Sequence, residues 1–302
     1  EWYANLSDAL AACRPDGVII ATPNQLHVEN ALEAVAAGIP VLVEKPIAHS
    51  SQAAVALVSA GLEKDVPILV GHHRRHNPLV QAAKRFLDDD RIGTIRTLQG
   101  TFWVAKPEDY FAMEWRRRPG AGPIFINLIH DIDLFRHLIG EIEGVHAMES
   151  NAARRYAVED TAVVLLRFAS GALGTLNASD AVASPWSWET TSAENPAFPR
   201  HDQPCYLIGG TKGSLSIPQL SAWTNGPAPT WLEPLAETRL QYASGDPLEL
   251  QLRHFCDVIA RKAPPLVSAE EGLASLRITE AIKTSAATGK TVHLPPNEQR
   301  GF

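Results

Sequence analysis

Long hydrophobic runs are the first thing missing from this 302-residue chain. None approaches the roughly 18 apolar residues that a bilayer-spanning helix needs, so no membrane role is expected. Cysteine is scarce as well. Cys13, Cys205 and Cys256 are odd in number and far apart, which suits neither a disulfide framework nor a metal site. A reducing cytoplasm is the expected compartment. An excess of basic charge is also absent: 27 Lys and Arg against 34 Asp and Glu leave a net charge of -7, the opposite of a nucleic-acid binder's footprint. The one dense basic run, Arg116-Arg117-Arg118, is short and flanked by Trp115 and Pro119. The chain opens on Glu1-Trp2-Tyr3, without an initiator Met or a signal-like charged region, and shows no internal repeats or low-complexity tracts.

What is present is the composition of a globular protein, 45% hydrophobic and 20% charged, long enough for two ordinary domains. Three short apolar runs, Gly17–Ala21, Pro40–Val43 and Pro67–Val70, are continuous rather than alternating, as in strands buried on both faces. Ala-rich helical stretches lie between them, Val28–Ala37 followed by Gly38, and Ala53–Leu62 preceded by the N-cap candidates Ser50 and Ser51. Trp2–Cys13 reads as a further helix. Strand and helix in alternation predict right-handed crossovers and a parallel sheet. Ligands bind such sheets at the carboxyl ends of the strands, which here carry Thr22-Pro23-Asn24, Glu44-Lys45-Pro46 and His72-His73-Arg74-Arg75.

After Asn77 the pattern changes. Helices are expected over Pro78–Leu87 and Ile124–Ile139, with strands over Thr94–Trp103, Thr161–Phe168 and Leu173–Ala178. Ser170-Gly171 joins the last two as a hairpin. Another pair of strands flanks Gly209–Gly213, Ser184–Gln203 reads as a loop or lid, and amphipathic helices cover 248–261 and 269–287. The expectation is an α/β protein in which an incomplete Rossmann-type parallel sheet, residues 1–76, precedes an α/β domain with a large, mainly antiparallel open sheet, residues 77–302.

Two motifs carry chemistry. Lys45 follows a buried strand, where partial burial disfavours its charge and suits it to proton transfer near neutral pH; the plainer alternative is a solvated loop lysine. A tight turn there makes the Lys45–Pro46 peptide a candidate for the cis form. In the second motif, Gly120-Ala121-Gly122-Pro123 opens a helix carrying Asn127, His130 and Asp133. Residues three apart share a helix face, so Asn127 and His130 form a pair able to bind a hydroxyl and take its proton. Asp133 reads as structural, and an ordinary core histidine is the alternative for His130. No cluster has the ligand set for a metal.

Ala21-Thr22-Pro23 with His27, Glu44-Lys45-Pro46, and Gly122 followed by His130 and Asp133 resemble the Gfo/Idh/MocA oxidoreductases. Gly209-Gly210-Thr211-Lys212-Gly213, then Ala281-Ile282 with Ser285-Ala286, fit the same order. The resemblance covers nearly the whole chain and implies a Rossmann domain binding NAD or NADP. Its partner domain would offer an open sheet to substrate and to a homo-oligomeric interface. It implies hydride transfer with a secondary alcohol of a sugar, cyclic polyol or cyclic diol, with Lys45 and His130 flanking the reacting carbinol. Ala21, Thr22, Pro23, Asn24, His27, Glu44, Lys45 and His73 would bind the cofactor; Asn127, Trp103, Arg116 and Arg74 would bind substrate. The chain departs from the family in two ways. The glycine-rich turn G-x-G-x-x-G is absent, so an N-terminal truncation of roughly 60 residues, about two βαβ units, is expected. Relatives such as inositol dehydrogenase carry an Asp four residues before the histidine, where this chain has Ile126. A non-catalytic sugar or dinucleotide sensor, and a metal-dependent hydrolase or lyase using His72, His73 and His76, remain as alternatives.

Overall fold

The computed structural model describes residues 1–226 and 230–295 as two compact units. The first contains α1 (Leu6–Cys13), β1 (Val18–Ile20), α2 (His27–Ala36), β2 (Val41–Val43), α3 (Ser51–Glu63) and β3 (Ile68–Val70). The strands pair in parallel in the order β1-β2-β3, with Val18 opposite Val41 and Val41 opposite Ile68. β2 and β3 are buried at every residue, which is why their sequences are unbroken Val, Ile and Leu. α2 ends in a Schellman motif: Gly38 takes φ +77°, its N–H reaches Val35 O at 3.0 Å, and Ile39 N reaches Ala34 O at 3.0 Å. The Ser50 side chain caps α3 by accepting from Ala53 N.

The opening segment of the first unit ends at Asn77, one residue past the expected boundary. Gly245–Glu280 returns to the first unit, whereas the sequence reading placed all of 77–302 in the second. The contacts are specific. Val70 N donates to Val267 O at 2.9 Å, and a Cβ on Gly17 would lie 2.5 Å from the Ile259 side chain. The late helices therefore cover the short parallel sheet, which has too few strands to enclose its own apolar side chains.

The second unit runs from Pro78 to Ser244 and resumes at Ala281. It holds α4 (Pro78–Asp88), β4 (Ile95–Trp103), α5 (Ile129–Leu138), β5 (Ile142–Ser150), β6 (Thr161–Phe168), β7 (Leu173–Ser179), α6 (Trp188–Thr191), β8 (Tyr206–Gly210), β9 (Gly213–Ile217), β10 (Ser221–Thr224) and β11 (Ala236–Arg239). α7 (Pro247–Ile259) and most of α8 (Ala269–Thr288) lie in the first unit, and β12 (Val292–His293) closes the second. The nine strands order as β11-β10-β9-β8-β4-β7-β6-β5-β12, all antiparallel except β4 with β7. Alternation is strict in β6: Ala162, Val164, Leu166 and Phe168 are buried, while Val163, Leu165 and Arg167 are exposed. α5 packs on the buried face, its Phe135 ring lying 2.6 Å from where a Cβ on Gly100 of β4 would stand. The opposite face is open and apolar, with Met148, Val163, Leu165, Leu173 and Leu207 exposed.

Candidate active site

Each unit carries one set of candidate residues. In the first, parallel pairing brings the carboxyl ends of β1, β2 and β3 to one edge of the sheet. Ala21, Thr22, Pro23 and Asn24 are exposed there, Glu44 and Lys45 are half-buried, and the Lys45–Pro46 peptide is cis. Glu44 N donates to Ile20 O at 2.9 Å and Gly71 N to Val43 O at 2.7 Å, so each strand end is tied to its neighbour. Gly71 is required by that approach: a Cβ would fall 3.0 Å from the Glu44 carboxylate.

His27 is buried, with Nδ1 2.8 Å from Pro46 O and Nε2 2.8 Å from Thr22 O. Both partners are carbonyls, so both contacts are hydrogen bonds only when both ring nitrogens carry hydrogen. Its ring thus braces the loops that present Thr22 and Lys45, with both nitrogens committed to main chain. Arg74 is likewise an interior residue, and His73 is half-buried. His73–His76 is a turn of 3-10 helix rather than a strand end. Arg75 pairs with Glu271 at 2.9 Å and the His76 ring lies 5.1 Å from that of His254. Among the described residues no group of three His, Cys, Asp or Glu could hold a metal.

In the second unit the expected helix over Ile124–Ile139 is divided. Ile124–Leu128 forms a turn of π-helix, and α5 begins at Ile129. π-turns of this kind recur at functional sites. Asn127 lies in the π-turn and His130 in the first turn of α5. His130, Asp131 and Asp133 are all buried, and the Tyr206 hydroxyl donates to Asp131. The start of this segment is held by Glu159, which is 4% exposed. Its Oε1 accepts from Ile124 N at 3.2 Å, and its Oε2 meets Lys283 Nζ at 2.7 Å. A Cβ on Gly122 would sit 2.2 Å from that Oε1, which explains the glycine. Burial alone would depress the Lys283 pKa, but hydrogen bonds to Glu149 and Glu159 outweigh it and the value is raised.

Asn127 is held by a residue that the sequence reading did not single out. Lys106, three residues past β4, donates from Nζ to Asn127 Oδ1 at 2.9 Å and pairs with Asp180 at 3.3 Å. Arg154 also binds the Asp180 carboxylate, and it donates to Lys106 O at 3.1 Å and Asp180 O at 2.6 Å. Burial lowers the Lys106 pKa against the pull of Asp180, and burial raises that of Asp180 against Lys106 and Arg154.

In the basic run Arg116 is half-buried, while Arg117 and Arg118 are exposed. Arg116 donates to Tyr110 O at 2.7 Å and lies 4.0 Å above the Tyr110 ring; Arg117 donates to Phe111 O at 2.5 Å. These two staple their own loop, and exposed Arg118 pairs with Glu114. Trp103 projects from β4 on the same face as Gln99 and Thr101, opposite Phe102 and the helix α5. Its Nε1 donates to Asn177 Oδ1 at 2.8 Å, and its ring meets Trp186 edge-on at 5.6 Å. The structure thus joins Asn127 to Lys106 and Asp180, while Trp103 belongs to the open sheet face.

Comparison with known proteins matches both halves. Residues 1–72 match an oxidoreductase family with an NAD-binding Rossmann fold, and residues 80–216 match the GFO/IDH/MocA C-terminal domain. The chain belongs to the Gfo/Idh/MocA oxidoreductase family. Levoglucosan dehydrogenase of Pseudarthrobacter phenanthrenivorans is 29% identical over 66% of this chain, a stretch that spans only 54% of that enzyme. The scyllo-inositol 2-dehydrogenase (NAD(+)) of Bacillus subtilis is 28% identical over 97% of this chain and 82% of its own length. The WlbA dehydrogenase of Bordetella pertussis, solved with NADH and UDP-GlcNAcA, aligns with a TM-score of 0.74 at 27% identity, over 97% of this chain and 84% of that one. The family matched by residues 1–72 is an NAD-binding one. A glycine-rich turn for the pyrophosphate is not among these 302 residues.

Proposed function

We propose that this chain forms part of an NAD(P)-dependent dehydrogenase acting on a secondary alcohol of a sugar, cyclic polyol or cyclic diol. The observation that carries this reading is Lys45 held at a braced parallel-strand end on a chain whose second unit presents Asn127 and His130 on a helix opened at Gly122. When bound, the dinucleotide supplies the hydride acceptor or donor at its nicotinamide. Ala21, Thr22, Pro23, Asn24, Glu44 and Lys45 would hold it, with His27 bracing their loops and His73 beside them. His130 takes the hydroxyl proton of the carbinol, and Lys45 supplies an N–H donor at its strand end. Asn127 orients the substrate and transfers no proton.

The exposed apolar residues of the open sheet support a homo-oligomer, and three free cysteines suit a reducing, cytoplasmic setting. Among the described residues no helix is long and apolar enough to cross a membrane.

The test is steady-state NADH formation with scyllo-inositol and levoglucosan. His130→Ala and Lys45→Ala are each expected to lower turnover by roughly 10²–10⁴, with Lys45→Ala also weakening substrate binding. Near wild-type turnover for His130→Ala at saturating substrate would end the catalytic assignment. Dinucleotide or sugar binding without any turnover would turn the reading toward a sensor.

A further inference from the structure

The Lys106 cluster is costly to build. Lys106 is 10% exposed and Asp180 3%, and each departs from its ordinary protonation behaviour toward its neutral form, because burial outweighs attraction. A buried pair of this kind is a weak argument for stability. It nevertheless joins residues from three separate places in the chain: the end of β4, the segment between β5 and β6, and the end of β7. Arg154 ties two of these together through the Lys106 and Asp180 carbonyls, and its guanidinium stacks 4.4 Å from the Phe111 ring centroid. Lys106 N donates to Asp180 O at 2.9 Å as well. The lysine is thus anchored at its backbone and at its Nζ, which also lies 4.9 Å from the Tyr110 ring centroid.

We propose that Lys106 is a positioning residue that locks the Asn127 carboxamide with its oxygen turned inward, so that Asn127 meets substrate as a hydrogen-bond donor. The step rests on the dehydrogenase reading above. An ammonium group has three donors and no acceptor, so at 2.9 Å it can face only the oxygen of the amide. That removes the usual twofold ambiguity of an asparagine and leaves the NH2 edge for a ligand. The substrate atom at this position is therefore an acceptor: a hydroxyl, ring or carbonyl oxygen. A group that can only donate is refused there.

Lys106→Met keeps the stem and removes the donor. With scyllo-inositol and NAD+ as the probe pair, it is expected to raise KM about 3–10-fold, the worth of one ordinary hydrogen bond, with kcat nearly unchanged. Asn127→Ala should raise KM similarly, and the double variant no further. Lys106→Gln, which retains an N–H donor without charge, should stay near wild type and stands in if the Met variant does not fold. Unchanged KM in Lys106→Met, multiplicative effects in the double variant, or a Gln variant as impaired as the Met one would each overturn the clamp. A second readout needs no turnover: the side-chain NH2 signals of Asn127 in 15N-resolved NMR should shift in Lys106→Met and not in Lys106→Gln. If wild type oxidises none of the probes, the NMR result alone decides the clamp, unshifted signals refuting it.

Discussion

Gly122 and Glu159 offer a measurement of how the helix bearing Asn127 and His130 is held. A methyl group on Gly122 would stand 2.2–2.6 Å from three atoms of the Glu159 carboxylate, so Gly122→Ala must expel that side chain. Expulsion strands the Ile124 N–H, a buried donor whose loss costs about 1–3 kcal/mol. It also strips Lys283 of one partner, at a smaller cost because Lys283 is 25% exposed and keeps Glu149 at 2.6 Å. The expected loss is about 2–3 kcal/mol, in the usual range for overpacking. Glu159→Ala alone should cost a comparable amount. Once the carboxylate is gone, the three atoms nearest the new methyl go with it, and alanine has less backbone freedom than glycine to lose on folding. Gly122→Ala in the Glu159→Ala background is thus expected to be neutral or stabilising. Urea unfolding followed by tryptophan fluorescence on the four proteins closes the double-mutant cycle. Equal costs for Gly122→Ala in both backgrounds would show that the glycine is needed for some reason other than the carboxylate.

Two further expectations are independent of that helix. His254 accepts from Leu266 N through Nε2 at 3.1 Å, which requires the neutral ring, and burial lowers its pKa against Asp257 and the Pro264 carbonyl. A folded value below the unfolded one means its contribution is complete above about pH 6.5 and fades as pH falls through the folded value. The urea midpoint should therefore decline from about pH 8 to about pH 5 less in His254→Gln than in wild type, and parallel declines would refute the assignment. On the open face, Leu165→Glu places a charge among Met148, Val163, Leu173 and Leu207. It should reduce the particle mass seen by light scattering with the fold intact; an unchanged mass would remove this face as the oligomer contact.

How far the sequence could be read depended on the range of the interaction. The parallel strands and the Gly38 terminus were legible because burial on both faces and a left-handed backbone leave local marks. β6 and β7 were legible for a similar reason, since one face of an open sheet alternates with the other. The return of α7 and α8 to the first unit was not, because contacts such as Val70 with Val267 and Gly17 with Ile259 join residues 197 and 242 positions apart. The π-turn over Ile124–Leu128 was hidden for another reason: a change from i→i+4 to i→i+5 bonding leaves the apolar spacing of Ile124, Leu128 and Ile132 looking helical throughout. An argument from residue spacing alone thus does not carry across such a turn. The Lys106 cluster shows the same limit in electrostatic form. Lys106, Arg154 and Asp180 each read as an ordinary charge in a loop, and only their assembly in one buried place makes each necessary to the others. A buried polar network draws its meaning from satisfied partners, and partners brought together by the fold leave no pattern along the chain.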